Sequence, residues 1–242
     1  PYAKHVEELD FSAHNIDLSE CTYFRFNPIG GSLKKLSFKN KTFNKSLNNS
    51  TSNGTFHNIL YTSNTGTSPI EELNFDNIVV NSTNTYFGEI NNMSYARAYS
   101  SKGIRFLGRN MRLNNVTNFN FLNIGDMTEV DLSESYMPKV HTLSISSTSA
   151  YSNAVKRLRT IKLNGITMPN LATLSSAFSG NIQLRTIEME GFGTTKVTNM
   201  SSAFASCKAL TSLDLSSWNT GNVTNMTSMF EECRKMESYN LE

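Results

Sequence analysis

The chain has 242 residues, with 22 lysines and arginines against 20 acidic residues, and only 17% of it is charged. A net charge of +2 excludes a global electrostatic pull toward nucleic acid or membrane, so partners have to be read from local features. Three cysteines, Cys21, Cys207 and Cys233, are too few and too scattered for a disulfide framework or a zinc knuckle.

No apolar run reaches the roughly 18 residues that a membrane-spanning helix needs, and the opening "PYAKHVEELDF" lacks the apolar centre of a signal peptide. Starting on Pro1 and stopping at Glu242 within the strand-like phrase "MESYNLE", the chain reads as a mature or excised piece.

Along the chain, apolar residues recur at i, i+3 and i+5, the spacing of a short strand with a turn leading into it. The triads are Val6/Leu9/Phe11, Leu33/Leu36/Phe38, Ile70/Leu73/Phe75, Val116/Phe119/Phe121, Val140/Leu143/Ile145, Leu158/Ile161/Leu163, Leu184/Ile187/Met189 and Leu210/Leu213/Leu215, with a partial Met236/Tyr239/Leu241. The long interval before Val116 has room for a degenerate unit around Ile104 and Leu107. Polar stretches such as "NNSTSNGTFHNILYTSNTGTSP" and "NSTNTYFGEINNMSYARAYSSKG" read as loops inserted on one side.

The last units repeat with a period of 26 residues, as at Leu158, Leu184 and Leu210. Such a period predicts stacked units that bury their apolar faces only against one another. The second half of each unit carries Leu171, Leu174, Phe178 and Asn181, echoed by Val197, Met200, Phe204 and Cys207 and by Val223, Met226, Phe230 and Cys233. That spacing predicts a short helix. The expected fold is therefore an α/β leucine-rich-repeat-type solenoid, with a parallel β-sheet on one face and short helices on the other. Residues 1–157 form a divergent region with polar insertions and residues 158–242 the regular repeats, within one continuous solenoid. The repeat core is expected at Leu158, Ile161, Leu163, Leu184, Ile187, Leu210, Leu213, Leu215, Trp218, Met226, Phe230 and Cys233. Cys207 and Cys233, one repeat apart, read as small buried residues.

The phrases "LDLSSWNTGNVTNMTSMFEEC" and "KVTNMSSAFASC" resemble the BspA-like leucine-rich repeats of bacterial surface proteins. The resemblance is specific over Leu158 to Glu242, and Asp214, Asn219, Asn222, Val223, Asn225, Met226, Met229 and Phe230 fall on that family's consensus. It implies an extracellular, cell-surface adhesion or recognition protein that binds host or extracellular protein or glycan, and no catalytic residue. The runner-up is a structural or receptor-binding component of a phage or viral appendage.

Nothing in the sequence supplies a catalytic, metal or cofactor site: His5, His14, His57 and His141 are dispersed, and paired carboxylates such as Glu71-Glu72 are adjacent. Neighbouring strand residues point to opposite faces, so such pairs do not act on one substrate. Nucleic acid is not an expected partner. One stretch, "SYARAYSSKGIRFLGRNMR", interleaves Tyr95, Arg97, Tyr99, Arg105, Arg109 and Arg112 without an acid, a composition that can hold an anionic ligand. Its structural alternative is a helix with Ile104, Leu107 and Met111 turned inward. Acids at Glu7, Glu8 and Asp10, bases at Lys34, Lys35 and Lys39, and acids at Glu71, Glu72 and Asp76 predict cross-strand charge pairing. Asn199, Asn222 and Asn225 read as backbone caps at the predicted helix starts.

Overall fold

The computed structural model describes residues 6–24, 32–45, 60–61, 70–82, 91–92, 102–121, 127–146 and 157–240. These residues wind as successive coils. The strand that opens each coil lies at Glu8–Asp10, Lys35–Ser37, Glu72–Asn74, Ile104–Leu107, Met127–Asp131, Thr160–Lys162, Thr186–Glu188, Ser212–Asp214 and Ser238–Asn240, here called coils one to nine. The first seven form one parallel sheet in chain order, and the last two pair with each other. At about 4.8 Å per strand the seven-stranded wall is roughly 30 Å long.

The wall crosses from residues 127–131 to residues 160–162 without a break, so the divergent and regular parts of the sequence share one sheet. Leu9, Leu36, Leu73, Phe106, Val130, Ile161 and Ile187 stand in one register column. A second wall pairs Thr42–Phe43, Val79–Val80 and Arg112–Leu113, and continues as single bridges through Tyr136 and Thr167. A third pairs Asn118–Asn120 with Thr142–Ser144 and continues through Thr173, Asn199 and Asn225. A further short pair, Leu60–Tyr61 and Asn91–Asn92, belongs to coils two and three.

Two expected triads therefore change place. Val116/Phe119/Phe121 and Val140/Leu143/Ile145 are buried, but they line the third wall and do not open coils. Coils four and five open instead at Phe106, where a degenerate unit was expected, and at Val130. The helical alternative for Ile104, Leu107 and Met111 is likewise replaced by a strand, Ile104–Leu107, whose Ile104 and Phe106 are fully buried.

The expected helices are absent: among the described residues there is no α-helix. Leu171, Leu174, Phe178 and Asn181 do face the core, as do Val197, Met200, Phe204 and Cys207. They reach it on tight turns, closed by Ala177 N–H to Leu174 O and Ala203 N–H to Met200 O. Left-handed residues at Ser176 (φ 55°), Gly180 (74°), Ser202 (54°), Ser206 (61°), Ser228 (55°) and Glu232 (58°) prevent a helix from propagating. Alternate N–H groups then donate to the following coil, Ser176 to Ser201 O, Phe178 to Ala203 O and Gly180 to Ala205 O. Turn bonds and bonds between coils thus share the donors that a helix would use internally.

A left-handed corner also joins the first and second walls, filled by Asn40, Asn77, Asn110, Glu134, Gly165 and Gly191. Asparagine tolerates this conformation. Its amides form a file in which Asn77 Nδ2 donates to Asn40 Oδ1 (2.9 Å) and Asn110 Nδ2 to Asn77 Oδ1 (3.0 Å). Four residues further on, Asn44, Asn81 and Asn114 repeat the arrangement.

The core is aromatic at both ends. Phe11 stacks on Phe38 at 5.4 Å, Phe38 meets Phe75 at 5.2 Å, and Phe75 stacks on Phe106 at 5.3 Å. Coil four has glycine where coils one to three have phenylalanine, because the Phe106 ring already occupies the space. A Cβ on Gly108 would lie 2.7 Å from that ring. Further on, Phe178, Phe204 and Phe230 stack at 5.1 and 5.6 Å, and Trp218 stacks on Phe192 at 5.7 Å. Trp218 is buried, as expected of a core residue, with its Nε1 unpaired among the described residues. Leu158, Ile161, Leu163, Leu184, Leu210, Leu213 and Leu215 are buried, while Ile187, Phe230 and Cys233 are partly buried against the core. Met226 is 40% exposed, although its counterpart Met200 is fully buried beneath the coil that follows it.

All three cysteines are free thiols. Cys207 Sγ donates to Phe178 O (3.2 Å) and Cys233 Sγ to Phe204 O (3.0 Å). Asn181, in the same column, donates to Ile145 O (2.7 Å) and Phe178 O (2.8 Å). The column thus supplies a donor to a carbonyl of the preceding coil, a need that thiol and amide both meet. Burial pushes the Cys207 thiol up to about 12. Cys207 is expected to resist a thiol reagent at neutral pH until the protein unfolds, a result that counting labelled thiols with and without denaturant checks.

Candidate interaction surface

Register decides what the first wall offers. Glu8, Lys35, Glu72, Arg105 and Glu129 stand side by side on coils one to five, so charge alternates along the file. Beside it, Lys34 reaches Glu7 (2.8 Å) and Lys102 reaches Glu71 (3.0 Å). Glu129 lies between Arg105 (3.0 Å) and Lys162 (3.1 Å). Of the pairing expected between the acid, base and acid clusters, Lys34–Glu7 is present, while Glu71, Glu72 and Asp76 pair instead with Lys102, Arg105 and Arg109 of the following coil. Exposed pairs of this kind add little stability each, and together they leave the sheet face electrically balanced.

Burial raises the Glu129 carboxyl, but the hydrogen bonds from Lys162 and Arg105, with their charges, outweigh it and hold the group below its ordinary value. A carboxylate depressed in the folded state stabilises the protein above its unfolded pKa, and this contribution is lost as pH falls through the folded one. Melting temperature is therefore expected to fall as pH drops below the ordinary glutamate range of about 4.3. Glu129→Gln should lower the neutral-pH value and flatten the acid limb, as thermal melts across pH will show.

The arginines of the basic-aromatic stretch separate. Arg105 is paired with Glu72 and Glu129. Arg109 forks onto the buried Asp76, to which its backbone N–H also donates (2.9 Å). Asp76 raises the Arg109 guanidinium above its ordinary value chiefly through that hydrogen bond. Arg112 lies around the corner on the second wall, exposed and without an ion pair among the described residues. Tyr95, Arg97 and Tyr99 lie outside the described residues. The stretch lacks acids only along the chain, because neighbouring coils supply them in space.

The other two walls have a different chemistry. From coil four to coil eight the outward pairs of the third wall are Asn118/Asn120, Thr142/Ser144, Thr173/Ser175, Asn199/Ser201 and Asn225/Thr227. Asn199 Oδ1 accepts the Ser201 N–H (2.9 Å) and Asn225 Oδ1 that of Thr227 (3.0 Å). The capping expected of these asparagines is real, although it serves turns and not helices. Asn222 instead donates to Thr195 O (2.8 Å). On coil eight Glu231 and Glu232 follow residues 218–230, whereas no carboxylate occurs in residues 111–121, 135–146, 166–183 or 192–209, which carry these walls on coils four to seven. The cations there are Arg112, Lys139, Lys196 and Lys208. Sequence reasoning missed this segregation, although it is visible once each acid is assigned to its wall.

Among the described residues, no three histidine, cysteine or acidic side chains are grouped to hold a metal ion, and no helix is long and apolar enough to cross a membrane. A family model described as a Mycoplasma protein of unknown function, DUF285, matches residues 145–241, the part richest in regular repeats. Comparisons with curated proteins and with solved structures find no match.

Proposed function

We propose that this chain is a non-enzymatic recognition module of a cell surface, of the BspA-like leucine-rich-repeat kind, binding host or extracellular protein or glycan. One observation carries this: the outward side chains stand in register as files of amides, hydroxyls and balanced charges on a rigid coil. Such a rack presents many fixed hydrogen-bonding groups to an extended partner. Cys207 is not an activated nucleophile, since it is buried and its thiol is held protonated.

An array of extracellular-matrix proteins and glycans tests the proposal, with the purified chain as probe and a variant lacking the polar insertions as control. Saturable binding to at least one surface component supports it. Failure to bind any component, together with recovery of the native protein from the cytosol, rejects it.

A further inference from the structure

We propose that the second and third walls, from coil four to coil eight, form a docking face for a linear sulfated or carboxylated glycan laid along the solenoid axis. The inference rests on the recognition function above and names its partner class. The cations of the first wall are largely held by carboxylates, as with Lys34, Lys102, Arg105, Arg109 and Lys162. On the other walls Arg112, Lys139 and Lys196 have no ion pair among the described residues.

These cations are placed, not scattered. One column runs Asn115, Lys139, Asn170, Lys196 and Asn222, fixed by the backbone bonds two residues on, from Ala172 N–H to His141 O and from Thr198 N–H to Ala172 O. Lys139 Nζ donates to Asn115 Oδ1 (2.8 Å), and Lys196 Nζ donates to Asn170 Oδ1 (2.8 Å). Each asparagine is itself anchored to the backbone of the preceding coil: Asn115 Nδ2 to Asn81 O (2.9 Å), Asn170 Nδ2 to Pro138 O (2.8 Å). Each ammonium is thus steered by a fixed amide yet remains exposed, with donors left for a ligand. Two coils separate the ammoniums, so they stand about 10 Å apart along the axis.

Beside this column run the hydroxyls and amides of the third wall, groups suited to sugar hydroxyls. Around the corner stands Arg112. Lys208 is less available, lying 3.9 Å from Glu232. Glu134, the acid nearest the second wall, lies over Gly165. Among the described residues Tyr136 is the one exposed large aromatic on these walls. Single-stranded nucleic acid binds on successive aromatic platforms, which this face does not provide. A glycan is therefore the anionic polymer that it fits.

The test is salt elution from immobilised heparin, together with titration by heparin in solution. The variant Arg112→Gln/Lys139→Gln/Lys196→Gln is compared with Lys35→Gln/Lys39→Gln/Lys102→Gln, which removes the same charge from the first wall. The first variant is expected to elute at lower salt and bind about tenfold more weakly, three exposed ionic contacts being lost together. The second should elute close to the parent, and Lys139→Arg/Lys196→Arg should retain binding. If the triple variant does not fold, Lys139→Gln and Lys196→Gln singly are each expected to elute earlier than the parent. The proposal fails if the parent is not retained, if the two triple variants shift equally, or if single-stranded DNA competes better than heparin. Adhesion of cells displaying the chain that survives enzymatic removal of sulfated glycans rejects the glycan but leaves surface recognition standing. Loss of adhesion to every tested surface rejects both.

Discussion

Phe204→Ala is expected to destabilise the protein by about 3–5 kcal/mol, the range for emptying a buried phenylalanine site. Phe204 is fully buried, stacks on Phe178 at 5.1 Å and on Phe230 at 5.6 Å, and tilts against Trp218 at 6.1 Å. Its backbone N–H also donates to Met229 O, so the side chain lies where coils seven and eight are joined. That joint depends on the third wall, because the first-wall strands Thr186–Glu188 and Ser212–Asp214 belong to different sheets. Collapse of neighbouring rings into the void is limited, since each ring is already in contact with the next. Trp218 is the sole tryptophan, so its fluorescence in a urea titration reports this end of the solenoid. A fluorescence transition for Phe204→Ala unchanged from the parent would remove the aromatic stack from the account of stability.

Asp76→Ala is expected to cost about 2–3 kcal/mol. Its carboxylate is buried, accepts the Arg109 backbone N–H, and receives the guanidinium through both oxygens. Removal leaves a backbone donor unpaired and a cation without its partner, each loss costly where water is excluded. The figure stays below that for a fully buried pair because the Arg109 side chain is 51% exposed. By contrast, Lys34→Gln should change stability far less than Asp76→Ala, since both members of its pair with Glu7 are exposed. Urea unfolding of the two variants at low and high salt provides the check. Salt should erase the Lys34 effect and leave most of the Asp76 effect, and equal costs would show that burial does not set the strength of these pairs.

Much of the coil was legible in the sequence. The 26-residue spacing identified Leu158, Leu184 and Leu210 as buried positions, and the φxxφxφ triads placed the strands of coils one to three and six to nine. A stronger signal went unused. "KNKTFN", "DNIVVN" and "RNMRLN" share one phrase, with asparagine opening the left-handed corner and another asparagine four residues later. That phrase places coil four without reference to its irregular apolar residues. Met127, Val130 and Leu132 keep the triad spacing and mark coil five. The triads around Phe119 and Leu143 misled because an apolar alternation says that a segment is a strand, but not which wall it joins.

The turns that replaced the helices show the same limit. Apolar residues three and four apart are required by any chain that returns to one core at that interval, and tight turns do so as well as a helix. What chose turns was the presence of a neighbouring coil able to receive the N–H groups of Ser176, Phe178 and Gly180.

By itself the amino-acid sequence determined that this chain repeats, that the repeats stack, and which leucines and phenylalanines are buried, because burial follows from periodicity that one unit already contains. The tertiary structure alone decided which charges meet. Arg105 and Arg109 find Glu129 and Asp76 only through register between coils, and Lys139 and Lys196 fall into one column only when the coils are stacked. Electrostatic pairing depends on distances in space, and in a solenoid those are set by residues one full turn apart.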